Sequence, residues 1–240
     1  MTELGLVVVL LAAVLGGGVQ ATLGFGAAFT TVPALAVFAP SLVPVGALVG
    51  LLPLTVAVWL RERHALDRPA FVRVSLGRVP GILAGTAVVA VADQRTLTLV
   101  VAVVLVVAVL VSASGVRIPV TPTSEFTTGA LSGFSGTAAA LGGPPLAVLY
   151  RDRDAPDRRA TLSAVFAVGL VLSLASLYLV GEVQVADLAA GAGIGAAMLL
   201  GSVVAVPLTR RLSEEVVRRA VLAWAAIGSV AAVLRVLVAG

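Results

Sequence analysis

Long apolar stretches run through almost the whole chain and constrain its fold more than any other feature. The candidate spans are residues 4–19, 23–39, 42–60, 79–92, 96–112, 126–150, 160–180, 188–208 and 216–238. A run of about 20 apolar residues is what an α-helix needs to cross the hydrocarbon core of a bilayer. Hydrophobic residues make up 60% of the 240 residues and charged residues only 12%, which is more apolar surface than a soluble domain can bury. The sequence therefore predicts an all-α, polytopic integral membrane protein embedded in the lipid bilayer.

The basic residues lie in short connections between these stretches. All sixteen are Arg, and they follow no single exposed helix or strand, so we expect them to set membrane topology and expect no nucleic-acid partner. If residues 61–78, 117, 151–159 and 210–219 face the cytoplasm, fourteen of the sixteen Arg lie inside. Only Arg95 and Arg235 then lie outside, together with both termini.

The two halves of the chain resemble each other when one is slid by 111 residues. This shift lays VPALAVF, residues 32–38, on GPPLAVL, residues 143–149, and aligns Pro33 with Pro144. We expect a first repeat at 1–114, a connection at 115–125 and a second repeat at 126–240. Under the charge rule, corresponding segments of the two halves cross the membrane in opposite directions. This predicts two inverted four-helix-type repeats with broken or re-entrant helices.

The stretch 126–150 is the difficult part of this topology. It must begin and end on the cytoplasmic side, yet its 25 residues are too few for two full spans. One solution is a broken, re-entrant pair of helices, which we favour because the stretch contains helix-interrupting residues. The alternative is one ordinary span, which would place residues 151–159 outside against the charge rule.

Two Gly-rich breaks carry the candidate functional residues. Residues 16–33 and 129–145 each combine glycines and hydroxyl groups and end at proline, and such a break at membrane depth must be buried in protein or line a polar cavity. Small residues also serve simple helix packing, so packing is the alternative interpretation. The side chains able to meet a solute are Gln20, Thr22, Thr30, Thr31, Ser132, Ser135 and Thr137.

The breaks favour a small anion as the solute. Exposed N–H groups at the start of a half-helix carry partial positive charge, so two facing breaks near the bilayer midplane can hold an anion without Arg or Lys in the core. The apolar spans show no Asp, Glu, His or Lys, and the chain has no Cys. We therefore expect no enzyme, no metal, no cofactor and no direct proton coupling unless the solute carries its own proton.

The sequences GFGAAFTTVPAL at 24–35 and SGFSGTAAALGGPPLAVLY at 132–150 resemble the paired signatures of the sulfite exporter TauE/SafE family. The resemblance extends over essentially the whole chain. It implies a multi-pass bacterial inner-membrane transporter for sulfite, sulfonates or other small organosulfur anions. A channel-like facilitator and a non-transporting membrane partner are the alternatives. The family signature falls on Gly24, Gly26, Pro33, Gly133, Gly136, Gly142, Gly143, Pro144 and Pro145.

Overall fold

The computed structural model describes residues 2–204 and 213–238, and within these ranges the regular structure is helical. Short 3₁₀ turns at Pro40–Leu42 and Arg63–Ala65 flank α3. This confirms the predicted all-α class. The α-helices are α1 (Glu3–Leu23), α2 (Ala27–Phe38), α3 (Val45–Glu62), α4 (Arg68–Val91), α5 (Gln94–Ala113), α6 (Pro122–Ala139), α7 (Gly143–Leu149), α8 (Ala155–Leu179), α9 (Val185–Val204) and α10 (Glu214–Val238).

Seven helices in the described part of the chain are long and apolar enough to cross a membrane, namely α1, α3, α4, α5, α8, α9 and α10. Helices α2 and α7 have 12 and 7 residues and are too short to span. Helix α6 has 18 residues but carries many polar side chains. The protein is therefore a multi-pass membrane protein, as the apolar pattern predicted.

The order of helices repeats along the chain. In each half a long helix is followed by a short one and then by three long ones, so that α1–α5 and α6–α10 have the same order. The short helices α2 and α7 end at Phe38 and Leu149, which are 111 residues apart and coincide in the sequence alignment of the halves. The breaks before them lie at 24–26 and 140–142.

Each short helix turns back along the long helix before it. In the first half, Gly16 of α1 lies against Ala27 and Thr30 of α2, and Gly26 lies against Val19. In the second half, the Tyr150 hydroxyl after α7 donates a 2.8 Å hydrogen bond to Glu125 near the start of α6. Both ends of the 126–150 stretch therefore lie at the same end of the molecule, and the stretch is a re-entrant pair rather than one span.

Helices α4 and α6 pack through glycines. Gly77, Gly81 and Gly85 face the backbones of Phe126, Ala130 and Phe134, at a constant offset of 49 residues. The constant offset means that the two helices run parallel and begin at the same end. A Cβ on Gly81 would overlap the Ala130 carbonyl oxygen, so glycine is required for this close approach of backbones.

An ion cluster joins the helices at the end where α3 ends and α4, α6 and α8 begin, which we call the charged end. Glu125 is fully buried there and accepts hydrogen bonds from Tyr150 and Arg73. Arg153 contacts Asp67 at 2.7 Å. Burial raises the pKa of Asp67, but hydrogen bonds from the Ala70 N–H and Arg153 outweigh it, so the pKa lies below its ordinary value.

Helix α4 begins earlier than the apolar pattern predicted. Asp67 caps its N-terminus by accepting a 3.1 Å hydrogen bond from the Ala70 N–H, and Pro69 occupies its first turn. Arg78 therefore lies ten residues inside the helix, about 15 Å from its start. The prediction that Arg78 belongs to a cytoplasmic connection was wrong. Helix α4 begins about three turns before the apolar run at 79–92 and therefore already contains Arg78.

The predicted positions of Glu125 and of two further Arg residues can also be compared with the structure. Glu125 was expected in the connection between the repeats, but α6 begins at Pro122, so Glu125 is a buried helix residue. Arg210 and Arg211 lie outside the described residues, and their position stays a prediction.

Candidate functional site

The two breaks meet at one cavity inside the protein. A Cβ placed on Gly143 would lie 3.8 Å from Phe25, so the second break faces the first. Helices α3, α4 and α8 complete the walls. The lining residues are Gln20, Phe25, Gly26, Ala28, Leu48, Leu51, Thr55, Arg78, Gly136, Ala140, Gly142, Gly143, Phe166 and Leu170.

The cavity is small, with a volume of about 40 Å³. Since a cavity of roughly 10–15 Å³ holds one water molecule, this space takes about three waters or one small polyatomic ion. This volume matches a small anion or the anionic group of a larger solute.

Arg78 is the charged residue at this cavity, and it is 2% exposed. Its Nη1 donates a 2.7 Å hydrogen bond to the Ser132 hydroxyl, which in turn donates a 2.6 Å hydrogen bond to the Gly142 carbonyl oxygen. Its Cζ lies 5.6 Å from the centre of the Phe166 ring, a cation–π distance. Arg78 thus joins the second break to helices α4 and α8.

The guanidinium has no counter-charge among the side chains that the structure describes. Its Nε is buried without a hydrogen-bond partner, and within residues 2–204 and 213–238 no carboxylate pairs with it. An unpaired charge in a protein interior is costly, and an ionisable residue at membrane depth is a mark of a functional site. The expectation of a core without Arg was therefore wrong, and the cavity has a cation available for an anionic solute.

Glycines make room for this side chain. A Cβ on Gly169 of α8 would overlap the Arg78 guanidinium, and one on Gly136 or Gly142 would approach it to 3.3 Å. The small residues near Arg78 therefore provide the space that the guanidinium occupies.

The first break presents a helix N-terminus to the same cavity. Gly24 and Gly26 have φ angles of 84° and 116°, a left-handed conformation that favours glycine. No side chain caps α2, so N–H groups of its first turn are without intrahelical partners at the cavity wall formed by Gly26 and Ala28. The positive end of the helix dipole adds to the charge of Arg78.

The second break does not contribute in this way. Helix α7 carries Pro144 and Pro145 in its first turn, and proline has no N–H to donate. Helix α7 therefore offers fewer N–H groups than expected, because only Gly143 among its first three residues has one, and the Arg78 guanidinium lies beside this break.

The predicted site residues divide into two groups. Gln20, Gly26, Gly136, Gly142 and Gly143 line the cavity, and Ser132 holds Arg78. Gln20 also donates a 2.9 Å hydrogen bond to Thr55 through Nε2.

The remaining predicted residues take packing positions or lie at other surfaces. Thr22 and Thr30 donate to the carbonyls of Gly18 and Ala27 within their own hairpin. Pro33 packs against Gly228, and Gly24 packs against Arg159. Gly133 packs against the backbone of α4. Thr31 is buried in α2, and Thr137 shares a 2.7 Å hydrogen bond with Ser173. Ser135, Pro144 and Pro145 line an apolar groove beside α5.

Sequence reasoning missed Arg78, Phe25, Thr55 and Phe166 at the cavity. One pattern could have revealed Arg78, namely Asp67 followed by Arg68 and Pro69, which is a helix start. A helix that begins there carries Arg78 into the membrane. Nothing in the sequence distinguishes Thr55 and Phe166 from other residues of their spans.

Comparison with known proteins identifies the family of the chain. The model of the sulfite exporter TauE/SafE family matches residues 9–232. The chain belongs to the TauE/SafE family. The match confirms the resemblance based on the two breaks, and TauE/SafE proteins are membrane transporters of sulfur anions. No curated protein and no solved structure matches the chain.

The unpaired charge of Arg78 makes a prediction for the stability of this TauE/SafE protein. Arg78→Met should raise the free energy of unfolding in detergent by about 1 kcal/mol or more, because it removes a buried charge without a partner. Arg73→Met, on the same helix, should lower it by about 1–3 kcal/mol because Glu125 loses a partner. Denaturation in buffer without sulfur oxyanions measures both. Equal destabilisation by the two variants would show that Arg78 is a structural residue.

Proposed function

We propose that this protein is a secondary transporter that moves a small sulfur anion, such as sulfite or a sulfonate, across the bacterial inner membrane. The observation that carries this proposal is the buried guanidinium of Arg78. It lies at a cavity where the two re-entrant breaks meet, and none of the described carboxylates pairs with it. Family membership supports the sulfur-anion class.

The proposed binding mode follows from the groups at the cavity. The anion pairs with the Arg78 guanidinium and with N–H groups at the start of α2. Charge-assisted hydrogen bonds of this kind are about twice as strong as neutral ones. Gln20, with one further amide N–H, lies on the same cavity wall.

The division into repeats at 1–114 and 126–240, joined by 115–125, remains part of this proposal, with the difference that the first helix of the second repeat begins at Pro122. Glu62 at the end of α3 contacts Arg159 near the start of α8 at 3.3 Å, so these corresponding helices run in opposite directions. This supports an inverted relation between the halves. In such transporters one repeat rocks against the other and exposes a central site to each side in turn.

We further propose that the charged end faces the cytoplasm, because it collects the Arg-rich connections. The chain has no Cys, so single cysteines report sidedness directly. Arg95→Cys at the opposite end should react with an impermeant maleimide in intact cells, whereas Asp154→Cys should react only after permeabilisation. Both positions are exposed. The reverse labelling pattern would overturn the orientation and with it the charge argument.

Flux measurements test the function itself. In proteoliposomes, labelled sulfite or methanesulfonate should show counterflow, and Arg78→Gln should reduce the rate by at least about tenfold, the cost of one charged hydrogen bond. Arg63→Gln is the matched control, because Arg63 is exposed at the charged end. An inside-negative membrane potential should favour outward movement of an anionic solute.

The alternatives give different results in the same assay. Flux without counterflow would indicate a channel-like facilitator. The absence of any flux would indicate a non-transporting membrane protein. Normal counterflow by Arg78→Gln would contradict the assignment of the solute site to this cavity.

A further inference from the structure

We infer that the Arg78 cavity selects solutes carrying a single negative charge and rejects dianions of the same size. This inference rests on the proposed function, because it concerns the same site. It is carried by the charges and hydrogen-bond donors around the cavity.

The cavity lining carries one full positive charge. Of its lining residues only Arg78 is charged, and the others are glycines, apolar side chains, Gln20 and Thr55. The nearest other cation on α4 is Arg73, which is engaged by Glu125. Arg159, which packs against Gly24 of the first break, contacts Glu62. Neither of these two Arg residues is therefore a free second cation for the cavity.

The neutral polar groups are mostly engaged within the protein. The Ser132 hydroxyl accepts from Arg78 and donates to Gly142. The Thr55 hydroxyl accepts from Gln20 and donates to the Leu51 carbonyl oxygen at 2.7 Å. Few donors therefore remain to stabilise oxygen atoms that Arg78 does not reach.

These two observations decide the charge of the solute. A monoanion neutralises Arg78 and leaves the cavity without net charge. A dianion leaves one negative charge in a site lined mostly by apolar groups, where the helix dipole of α2 offsets only about half of it. An uncompensated charge in such a place is strongly disfavoured.

The selection has a consequence for sulfite. Hydrogen sulfite is the form that fits the site, and sulfite with two charges is excluded. Each hydrogen sulfite that crosses the membrane carries a proton with it. Sulfite movement then responds to a pH gradient even though no carboxylate of the protein transfers that proton.

The test compares methanesulfonate with sulfate, which have nearly the same size and tetrahedral shape but one and two charges. With the purified protein, methanesulfonate should bind at least about tenfold more tightly than sulfate, as measured by calorimetry. Sulfite binding should weaken as rising pH converts hydrogen sulfite to sulfite, while methanesulfonate binding stays constant over the same range. These two measurements use the unmodified chain.

A variant pair adds a second charge to the cavity. Gln20→Lys should reduce the preference for methanesulfonate at least about tenfold by raising sulfate affinity, and Gln20→Met, of similar size but uncharged, should keep the preference. Equal binding of both anions by the unmodified chain would overturn this inference but would still support an anion-binding site at Arg78. Binding of neither anion would instead contradict the proposed function.

Discussion

The burial of Arg78 is the constraint on which the centre of this molecule depends. A guanidinium in the interior of a membrane protein needs hydrogen-bond acceptors, space and a counter-charge. Ser132 supplies an acceptor, and Gly136, Gly142 and Gly169 leave the space. None of the described carboxylates supplies the counter-charge, and for this reason we propose that an anionic solute supplies it.

The helices around Arg78 are held by contacts of two kinds. Glycines of α4 and α6 bring the two backbones together above and below Arg78, and this fixes the second break beside the guanidinium. Beneath the cavity, the cluster of Glu125, Tyr150 and Arg153 joins the start of α6 to the end of α7. This cluster lies at the charged end, where it holds the two ends of the re-entrant pair together.

The fold follows from the sequence more readily than the site does. Apolar runs separated by Arg-rich connections predict the long helices, and the helix-interrupting residues of 126–150 predict the re-entrant turn of the second half. The turn of the first half was not predicted, because residues 23–39 were expected to span, whereas α2 has only 12 residues. The position of Arg78 was mistaken because a span was taken to start at its first apolar residue, whereas helix α4 starts at its cap, Asp67. The contribution of α7 was overestimated because proline at its first turn removes donors that a half-helix normally offers. These errors concern backbone geometry that an apolar pattern does not encode.

The central claim is that Arg78 binds the anion at the meeting point of the two breaks. A crystal structure of the protein with bromomethanesulfonate tests it most directly, since bromine gives an anomalous signal that locates the molecule without reference to any expected position. The account predicts a single strong peak inside the cavity, with sulfonate oxygens within hydrogen-bond distance of the Arg78 guanidinium. A peak confined to the exposed Arg residues of the charged end, with only water beside Arg78, would contradict it.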